Sequence, residues 1–537
     1  MLWVDQICIN QSDMNERSFQ VGLMDQIYSN ALRVFIYLGE SNLYVSEGLH
    51  FLGHYFRAEL QSIAAREHDG QARDCHSHRP DVAAIITHLI GEDASAEERN
   101  EMMNKVVRGL YGILDRPYFS RRWILQEVAM AREVTVLLGD IALNGDLVPI
   151  WYSIEVLDRC YELAETWNTI DRESYLNVFR RAKALTELWK TFKEENERKP
   201  LWDQFENCVG YNTTNNKDQV YALLSLTSDA DKFPRPDYSK TTAEVYLDFC
   251  KQVVVQSQGI RVIEAASSIE SPRTEEHFPS WAPWLEDVSL NGLGDLRLES
   301  VGHHAAGSTD THISISDNYL ELQVQGQISD GVKEVGLKGP RAAKPVLSEA
   351  EIRTALEWLQ SSLTFIRSWL QSEPSDSKSA EGLLAILLIQ NGHEVDLPEE
   401  DFEDWEARNL NPMRVFPKRF LEFLDRLHTI TEFDTTPTYT KKYDGHTWAL
   451  QSFEQRIITT LWGRRIFVTN DHRVGITKSA LEVGDKIAIL AGGKMPFILR
   501  PHIHGYKLVG YAYIHHMMKG PTAGECLTGD MTTIHFS

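Results

Sequence analysis

Apolar and polar positions change their period several times along the chain, and each period predicts a different element. The opening run "LWVDQICI" has the length and apolar content of a strand. Residues 13–31 then place apolar side chains at helical spacing, with Asp13 and Glu16 resembling a capping box at the helix start. The run "RVFIYLGE" predicts a second strand. A strand, a helix and a strand joined tightly predict a βαβ unit and a parallel sheet.

The same pattern returns further along the chain, after a long polar stretch. Residues 41–112 are predicted as a mostly helical insertion. The segment "DRPYFSRRWILQEVAMAREVTVLLGD" then predicts a helix that places Trp123 and Glu127 on one face, followed by another strand. This second passage favours an α/β fold for residues 1–145.

Beyond residue 145 the pattern predicts four further segments. Residues 146–285 are predicted as a helical region and residues 286–347 as a β segment, because "HISISDNYLELQVQGQISDGVKEV" alternates apolar and polar residues. Residues 348–432 are predicted as a helical and acidic insertion. Residues 433–537 consist of short apolar runs and turns, which predict a β-rich C-terminal domain.

One landmark in the helical region is "NNKDQVYALLSL". Its periodicity predicts a helix that buries Val220 and Tyr221, with Asp218 as its cap.

Composition narrows the classes of function. The chain has 537 residues and a net charge of −23, which argues against a nucleic-acid or anionic-membrane binder. Its six cysteines share no paired spacing, so we expect free thiols in a reducing compartment. No signal peptide is visible, and the longest apolar run, "LLAILLI", is far shorter than the ~20 residues that cross a bilayer. We therefore expect a cytoplasmic protein without a membrane span.

Asp5 is the first candidate for chemistry. A carboxylate within a buried strand is costly unless it is paired, and ligands of open α/β sheets lie at the carboxyl ends of strands. Asn10 and Gln11 follow at the predicted strand-to-helix turn. Asp5 is either a site residue that orients a nucleotide-like ligand or a structural acceptor for backbone groups or an arginine.

Glu127 is the second candidate. It follows Trp123 by four residues, so the carboxyl and the indole share a helix face. A carboxyl beside an apolar ring has a raised pKa, which suits proton transfer near neutral pH. The alternative is a salt bridge to one of the nearby arginines, Arg116, Arg121 or Arg122.

Histidine and cysteine spacing does not predict a metal site. "DCHSHRP" and the strand pair with His502, His504, His515 and His516 lack the three or four convergent ligands that a metal needs. No phosphate-cradling Gly-x-x-x-x-Gly-Lys-Ser/Thr loop is present, so we expect no nucleotide-binding module of that kind. We also expect no bound cofactor.

Two blocks of the sequence closely resemble the fungal heterokaryon incompatibility (HET) domain family. The first block carries the resemblance through Leu2, Trp3, Asp5, Cys8, Ile9, Asn10, Gln11, Glu16, Arg17, Gln20, Val21, Met24, Ile27, Tyr28 and Gly39. The second carries it through Arg116, Phe119, Arg122, Trp123, Gln126, Glu127, Ala131 and Gly139. The resemblance continues in the later parts of such proteins. They are similar to "NNKDQVYALLSL", to "FPSWAPW" and to the strands after residue 463. Within "NNKDQVYALLSL", Lys217 and Ser225 depart from the usual residues.

The resemblance implies a fold and a set of site residues. HET domains resemble, distantly, the TIR domain, which implies a TIR-like or flavodoxin-like parallel sheet module at residues 1–145. By that analogy Glu127 and Asp5 are the candidate catalytic residues, and Asn10, Gln11, Trp123 and Arg122 are candidate ligand-binding residues.

The resemblance also implies a function. Family members act in fungal nonself recognition, so we expect an effector or signalling module that promotes programmed cell death through protein partners or self-association. The alternative is a TIR-like hydrolase that cleaves NAD as its substrate. A third hypothesis is a non-functional truncated relative, because the family's upstream block, ending near Ser-Tyr-x-Trp-Gly, is not found ahead of "LWVDQICINQ".

Overall fold

A computed structural model gives the structure of the chain. It describes residues 2–69, 80–144, 148–163, 172–195, 197–269, 278–288, 305–306, 313–316, 321–339, 349–372, 384, 463–514, 517–518 and 531–537. The described chain is mixed α and β, with a helical N-terminal region and a β-rich C-terminal sheet, as the sequence predicts at that level.

The described residues divide into two compact units. The first contains residues up to Thr241 and the second contains those from Thr242 to the end of the chain. The five segments predicted from the sequence, with boundaries at 145, 285, 347 and 432, stay predictions. Most of the predicted insertion at 348–432 lies outside the described residues.

The first unit is mainly helical. Its helices are α1 (Asp5–Cys8), α2 (Met14–Val21), α3 (Met24–Asn30), α4 (Leu43–Asp69), α5 (Val82–Ile90), α6 (Ala96–Leu114), α7 (Ile124–Met130), α8 (Val148–Leu163), α9 (Arg172–Lys190), α10 (Leu201–Asn207) and α11 (Asp218–Tyr221). Its strands are β1 (Val34–Tyr37), β2 (Val134–Leu138) and β3 (Ile141–Asn144).

The predicted strand through Asp5 is wrong. Residues Asp5–Cys8 form one helical turn, in which the amide of Ile9 donates to the carbonyl of Asp5. Leu2 is 77% exposed and Ile7 is 81% exposed, so the apolar side chains of this run do not alternate between two buried faces. The run lacks the burial that a central strand needs, and Asp5 therefore lies in a surface turn.

The helix predicted over residues 13–31 is present as two helices, α2 and α3, separated around Gly22. Asp13 caps α2 as predicted, accepting from the amides of Asn15 and Glu16 at 2.9 and 3.1 Å. In a capping box the Glu16 carboxylate would accept from the amide of Asp13. Here it accepts instead from the amide of Asn10, at 3.0 Å. This bond fixes the turn between α1 and α2.

The small sheet of the first unit contains both strand orientations. β1 and β2 are parallel, with Val34 opposite Val134. The βαβ unit predicted from the opening run is wrong, because its first strand is the helical turn α1 and β1 pairs instead with a strand 100 positions later. β2 and β3 form an antiparallel pair around Gly139, whose φ of 56° suits the tight turn. The described sheet has the order β1-β2-β3, so an all-parallel sheet is not what these residues form.

The predicted helical insertion is helical where it is described, and glycines set its packing. α4 and α6 lie so close that Gly48 and Gly109 face each other across the contact. A Cβ on Gly109 would overlap the carbonyl oxygen of Tyr44. A Cβ on Gly112, one turn later, would contact Val45 Cγ2 at an ordinary 3.8 Å. The two glycines therefore predict opposite responses to the same substitution.

We expect Gly109→Ala to push α4 and α6 apart and to cost about 1–3 kcal/mol of unfolding free energy, since backbone atoms cannot yield. Gly112→Ala in the same helix should be neutral or stabilising by up to about 1 kcal/mol, because alanine favours the helix. Hydrogen exchange by mass spectrometry over α4 and α6 of the full chain measures both. Equal protection in the two variants would contradict this packing.

The second unit carries two helices, α12 (Thr242–Val253) and α13 (Gly259–Ser267), then β4 (Ile313–Ile315), β5 (Leu322–Lys338) and α14 (Glu349–Ser372). Its remaining strands are β6 (Arg465–Thr469), β7 (Val474–Thr477), β8 (Lys486–Leu490), β9 (Phe497–His502), β10 (Gly505–Tyr511), β11 (Tyr513–Ile514) and β12 (Thr532–Phe536). Among the described helices of both units, none is long and apolar enough to cross a membrane.

The strands of the second unit pair in a closed circuit. β5 pairs with β12, β12 with β10, β10 with β9, β9 with β8, and β8 returns to β5. The far half of β5 continues past the circuit and pairs with β6, at the edge formed by β6, β7 and β11. Apolar side chains such as Phe467, Ile487 and Ile498 fill the core between these strands. Closure removes the strand edges of a small sheet.

Candidate functional site

Glu127 lies within the first unit at the start of α7 and is 8% exposed. The helix follows a 3₁₀ turn (Pro117–Ser120) that places Tyr118 beside it. The Tyr118 hydroxyl donates to Glu127 Oε2 at 3.0 Å. A buried carboxylate with a phenol donor is thus held at the helix start.

Arg121 joins Glu127 to Asp5. Its Nη2 lies 3.9 Å from Glu127 Oε1 and 3.8 Å from Asp5 Oδ2. Asp5 Oδ1 also accepts from the amide of Gln6 at 2.8 Å. The two candidate catalytic carboxylates, 122 positions apart in the sequence, therefore lie on either side of one guanidinium.

Burial and neighbouring charges shift the pKa of Glu127 and of two tyrosines in this cluster. Burial raises the pKa of Glu127, and Asp5 adds to the rise, while Arg121 and the Tyr118 hydroxyl oppose it. Burial, with the Glu127 charge, raises the pKa of Tyr118 and of Tyr28. Tyr28 on α3 packs edge-on against Trp3 at 5.8 Å between ring centroids. Both phenols therefore stay protonated, and Tyr118 is the one that donates to Glu127.

Asn10 and Gln11 lie in the exposed turn between α1 and α2. The Asn10 side chain accepts from the amide of Ser12 at 3.1 Å, and Gln11 Nε2 donates to the carbonyl of Asp5 at 3.4 Å. Gln11 thus contacts the backbone of Asp5, whereas Asn10 stabilises the turn that follows it, and their predicted ligand-binding role stays a prediction.

Trp123 does not place its indole N–H toward Glu127. Its Nε1 donates to Asp218 Oδ2 at 3.1 Å, and the Tyr238 hydroxyl donates to the other oxygen of the same carboxylate. Arg17 on α2 adds an ion pair to Asp218 at 3.6 Å, and its guanidinium lies 3.9 Å from the centre of the Tyr238 ring. Asp218 therefore connects three separate segments of the unit.

The predicted capping role of Asp218 is wrong. Residue 217 is the N-cap of α11 and makes no side-chain cap bond, while the Asp218 side chain turns into the unit and is 4% exposed. Burial raises the pKa of Asp218, and its hydrogen bonds and Arg17 oppose that rise. The predicted burial of Val220 and Tyr221 is confirmed, at 4% and 5% exposed.

Arg122 lies apart from the cluster. It is 1% exposed, its Nη1 donates to the carbonyl of Cys208 at 2.9 Å, and its guanidinium lies over the Phe205 ring at 5.4 Å. Burial raises the pKa of the Cys208 thiol to about 11. The structure thus places Arg122 in the core rather than beside Asp5 and Glu127.

Neither tyrosine of the cluster, Tyr28 or Tyr118, was predicted as a site residue from the sequence. Tyr28 stands within the first resembling block, but nothing in its spacing connects it to Glu127. Tyr118 precedes Glu127 by nine positions, which no helical period relates. Together the cluster offers a carboxyl with a raised pKa, a second carboxylate, two phenol donors and one cation, which is a set suited to proton transfer or to binding a polar ligand.

The remaining histidine and cysteine candidates and the described cavity form no comparable cluster of ionisable side chains. In the described parts of the chain, no three His, Cys, Asp or Glu side chains stand close enough to hold a metal ion. His502 and His504 are exposed around the turn between β9 and β10. His515, His516 and "DCHSHRP" lie outside the described residues. A cavity of about 630 Å³ beside α14 in the second unit has Glu357 as the ionisable side chain of its described lining.

Comparison with known proteins shows which families these units resemble. A family model described as heterokaryon incompatibility protein (HET) matches residues 1–127, and one described as Het-6 beta-barrel domain matches residues 438–530. The chain is 22% identical over 595 residues to heterokaryon incompatibility protein 6, OR allele, of Neurospora crassa, covering 97% of this chain and 81% of that relative. The chain is thus similar to a HET domain at its N-terminal end, to a Het-6 beta-barrel domain toward its C-terminal end, and to an incompatibility protein over most of its length. No solved structure matches it.

The two family matches can be compared with the described elements. The HET match ends at Glu127, whereas the Asp218 contacts show that the unit containing it extends to residue 238. The barrel match includes β6 to β11, whereas β5 and β12, which complete the strand circuit, lie outside it. Both folded units of this HET-domain protein are larger than the matched sequence.

Asp218 provides a first test of this site. We expect Asp218→Ala to lower the unfolding free energy by about 3 kcal/mol, because Trp123 and Tyr238 keep buried donors without an acceptor. Asp218→Asn, which retains an acceptor oxygen, should lose less. Asp231→Asn, at an exposed carboxylate, is the control and should change stability by less than about 0.5 kcal/mol. Urea unfolding followed by tryptophan fluorescence measures the series. Equal midpoints for Asp218→Ala and the control would contradict the network.

Glu127 provides a second test through pH. Because its pKa is raised in the folded chain, its contribution to stability is fully present below its ordinary pKa and is lost as pH rises through the raised pKa. We therefore expect the unfolding free energy of the wild type, relative to Glu127→Gln, to fall with rising pH above about 4.5.

The control for this test is Glu133→Gln, which removes an exposed carboxylate paired with Arg33. Urea unfolding of the three chains at matched ionic strength gives the comparison. A wild-type minus Glu127→Gln difference that does not change with pH would show that Glu127 is not held in the environment described above.

Proposed function

We propose that this HET-domain protein acts in fungal nonself recognition, where its N-terminal unit promotes programmed cell death in cells that contain an incompatible partner. The observation that carries this proposal is the similarity to heterokaryon incompatibility protein 6, which extends over 97% of the chain and so includes both units. On this proposal the protein is cytoplasmic, consistent with its net charge of −23.

On this proposal the death signal is transmitted by binding to other proteins. The N-terminal unit exposes several large apolar side chains, among them Phe19 at 65%, Phe35 at 55% and Tyr37 at 58%. Exposed apolar side chains of this size, where they are contiguous, are typical of protein interaction surfaces. They support signalling through a protein partner or through self-association, with no role for nucleic acid.

A TIR-like or flavodoxin-like architecture for the N-terminal unit belongs to this proposal. The parallel pair of β1 and β2, with helices between the strands in sequence, supports it. The antiparallel β3 and the short helix at Asp5 are departures from such a sheet.

A second candidate function is hydrolysis of NAD or a related nucleotide. One observation favours it: Glu127 is buried, has a raised pKa and faces Asp5 across Arg121. A carboxyl of this kind can transfer a proton or stabilise a ribosyl cation. The link to NAD itself is an analogy with TIR domains and rests on no contact of this chain.

Induced expression of the full chain in Neurospora crassa tests both functions. We expect wild-type expression to kill most hyphal cells on fusion with an incompatible strain, scored with a vital dye, and Glu127→Ala or Asp5→Ala to abolish killing if the cluster is required. Glu133→Ala is the matched control at an exposed carboxylate, and immunoblots equalise protein levels.

The NAD content of the same cultures separates the two functions. A fall in NAD before death, absent in Glu127→Ala, supports hydrolysis. Death with constant NAD contradicts hydrolysis and leaves the effector function standing. Survival of cells expressing wild-type protein in every tested pairing would count against the effector function.

A further inference from the structure

The outer edge of β1 has no partner strand among the described residues. The order β1-β2-β3 places β1 at the end of its sheet, with β2 on one side only. The amides of Val34 and Leu38 donate toward β2, at 2.8 Å each. In a strand the backbone groups of alternate residues point to opposite sides, so those of Phe35 and Tyr37 point away from β2. β1 therefore presents two N–H donors and two C=O acceptors at its outer edge.

The side chains of β1 separate into a buried face and an exposed aromatic face. Val34 and Ile36 are buried, whereas Phe35 is 55% exposed and Tyr37 is 58% exposed. Soluble proteins commonly protect an edge strand with a charged residue, a proline or a bulge, and Val34–Tyr37 contains none of these. An edge of this kind is suited to accept another strand.

This edge is complementary to itself in the antiparallel direction. If two copies pair about Ile36, Phe35 of each copy lies opposite Tyr37 of the other, related by a two-fold axis. The outward backbone groups of both residues are then bonded, and an aromatic ring lies opposite an aromatic ring at both positions. A register shifted by one residue would oppose these groups to residues whose backbone already faces β2.

Charge at the two ends of the strand favours the same pairing. Arg33, whose side chain is 44% exposed, precedes β1. Glu40 follows it, and its carboxylate accepts from the Tyr37 hydroxyl at 2.9 Å. Antiparallel pairing about Ile36 brings Arg33 of each copy to the end of the strand where the other copy has Glu40, whereas parallel pairing brings like charges together. The charges therefore favour an antiparallel second copy.

We propose that the chain forms a dimer in which the β1 strands of two copies pair antiparallel about Ile36 and join their three-stranded sheets into one. As the contact through which the death signal is transmitted, the dimer rests on the proposed function and assigns a second copy as the partner. Its formation requires no incompatible cell and is measured on purified protein. The contact is short, so its affinity lies at the weak end of specific protein interfaces.

Sedimentation velocity of the purified full chain tests the dimer. We expect the dimer fraction to rise between about 1 and 100 µM, in about 0.15 M salt so that the net charge of −23 is screened. Phe35→Pro removes an outward amide and no bond to β2, so it should weaken dimerisation at least about tenfold. Phe35→Lys is a second variant, should the proline perturb the strand. Phe19→Lys, at a 65% exposed phenylalanine of α2, is the matched control and should sediment like the wild type.

Charge exchange tests the register of the pairing. Arg33→Glu and Glu40→Arg should each weaken the dimer. The double variant Arg33→Glu/Glu40→Arg should recover most of the lost affinity, because the pairs between copies are inverted but remain opposite in charge. The ion pair of Arg33 with Glu133 within one chain is lost in both chains that carry Arg33→Glu, so it does not explain a recovery.

Three outcomes would overturn the proposal. They are a chain that is monomeric at every concentration, equal dimerisation of Phe35→Lys and Phe19→Lys, and a double charge variant that dimerises no more tightly than the single ones. The proposed function is judged separately. A chain that dimerises through β1 but kills no cells contradicts the proposed function alone, and one that kills cells as a monomer contradicts this inference alone.

Discussion

The N-terminal unit depends on one buried carboxylate. Asp218 accepts hydrogen bonds from Trp123 and Tyr238 and an ion pair from Arg17, which come from three segments far apart in the sequence. A charge this deeply buried is unfavourable by itself, so the fold keeps it only because every oxygen has a donor. The same contacts hold α2 and α7 in place. Helix α2 follows the turn that carries Asp5, and helix α7 carries Glu127.

Local pattern predicted much of the fold, and tertiary contact decided the rest. The cap at Asp13, the strand at residues 34–37 and the helices of the insertion all follow from short-range periodicity and capping. The parallel pairing of β1 with β2 joins residues 100 positions apart and does not. The opening run failed because its apolar residues satisfy the composition of a strand while the fold leaves Leu2 and Ile7 exposed. The composition of a segment does not show whether a neighbouring strand is available to pair with it.

Prediction of the site from sequence had a different limit. Asp5 was predicted as a carboxylate within an apolar run and Glu127 from its helical spacing to Trp123, but the residue that brings them together was considered only as a salt-bridge partner. Arg121 contacts both, and no spacing rule relates position 5 to position 121. Asp218 was misassigned for a similar reason, since a helix cap is a local role and its partners at positions 17, 123 and 238 are not local.

Both units show the same relation between sequence similarity and folding. The HET match ends at Glu127, yet the carboxylate that fixes α7 comes from residue 218. The barrel match ends at residue 530, yet β8 and β10 find partners in β5 and β12 outside it. Unpaired strand edges and buried donors without acceptors are costly, so neither matched segment satisfies its own backbone and side chains. Residue 218 and the strands β5 and β12, which lie outside the matched segments, are therefore structural parts of the units.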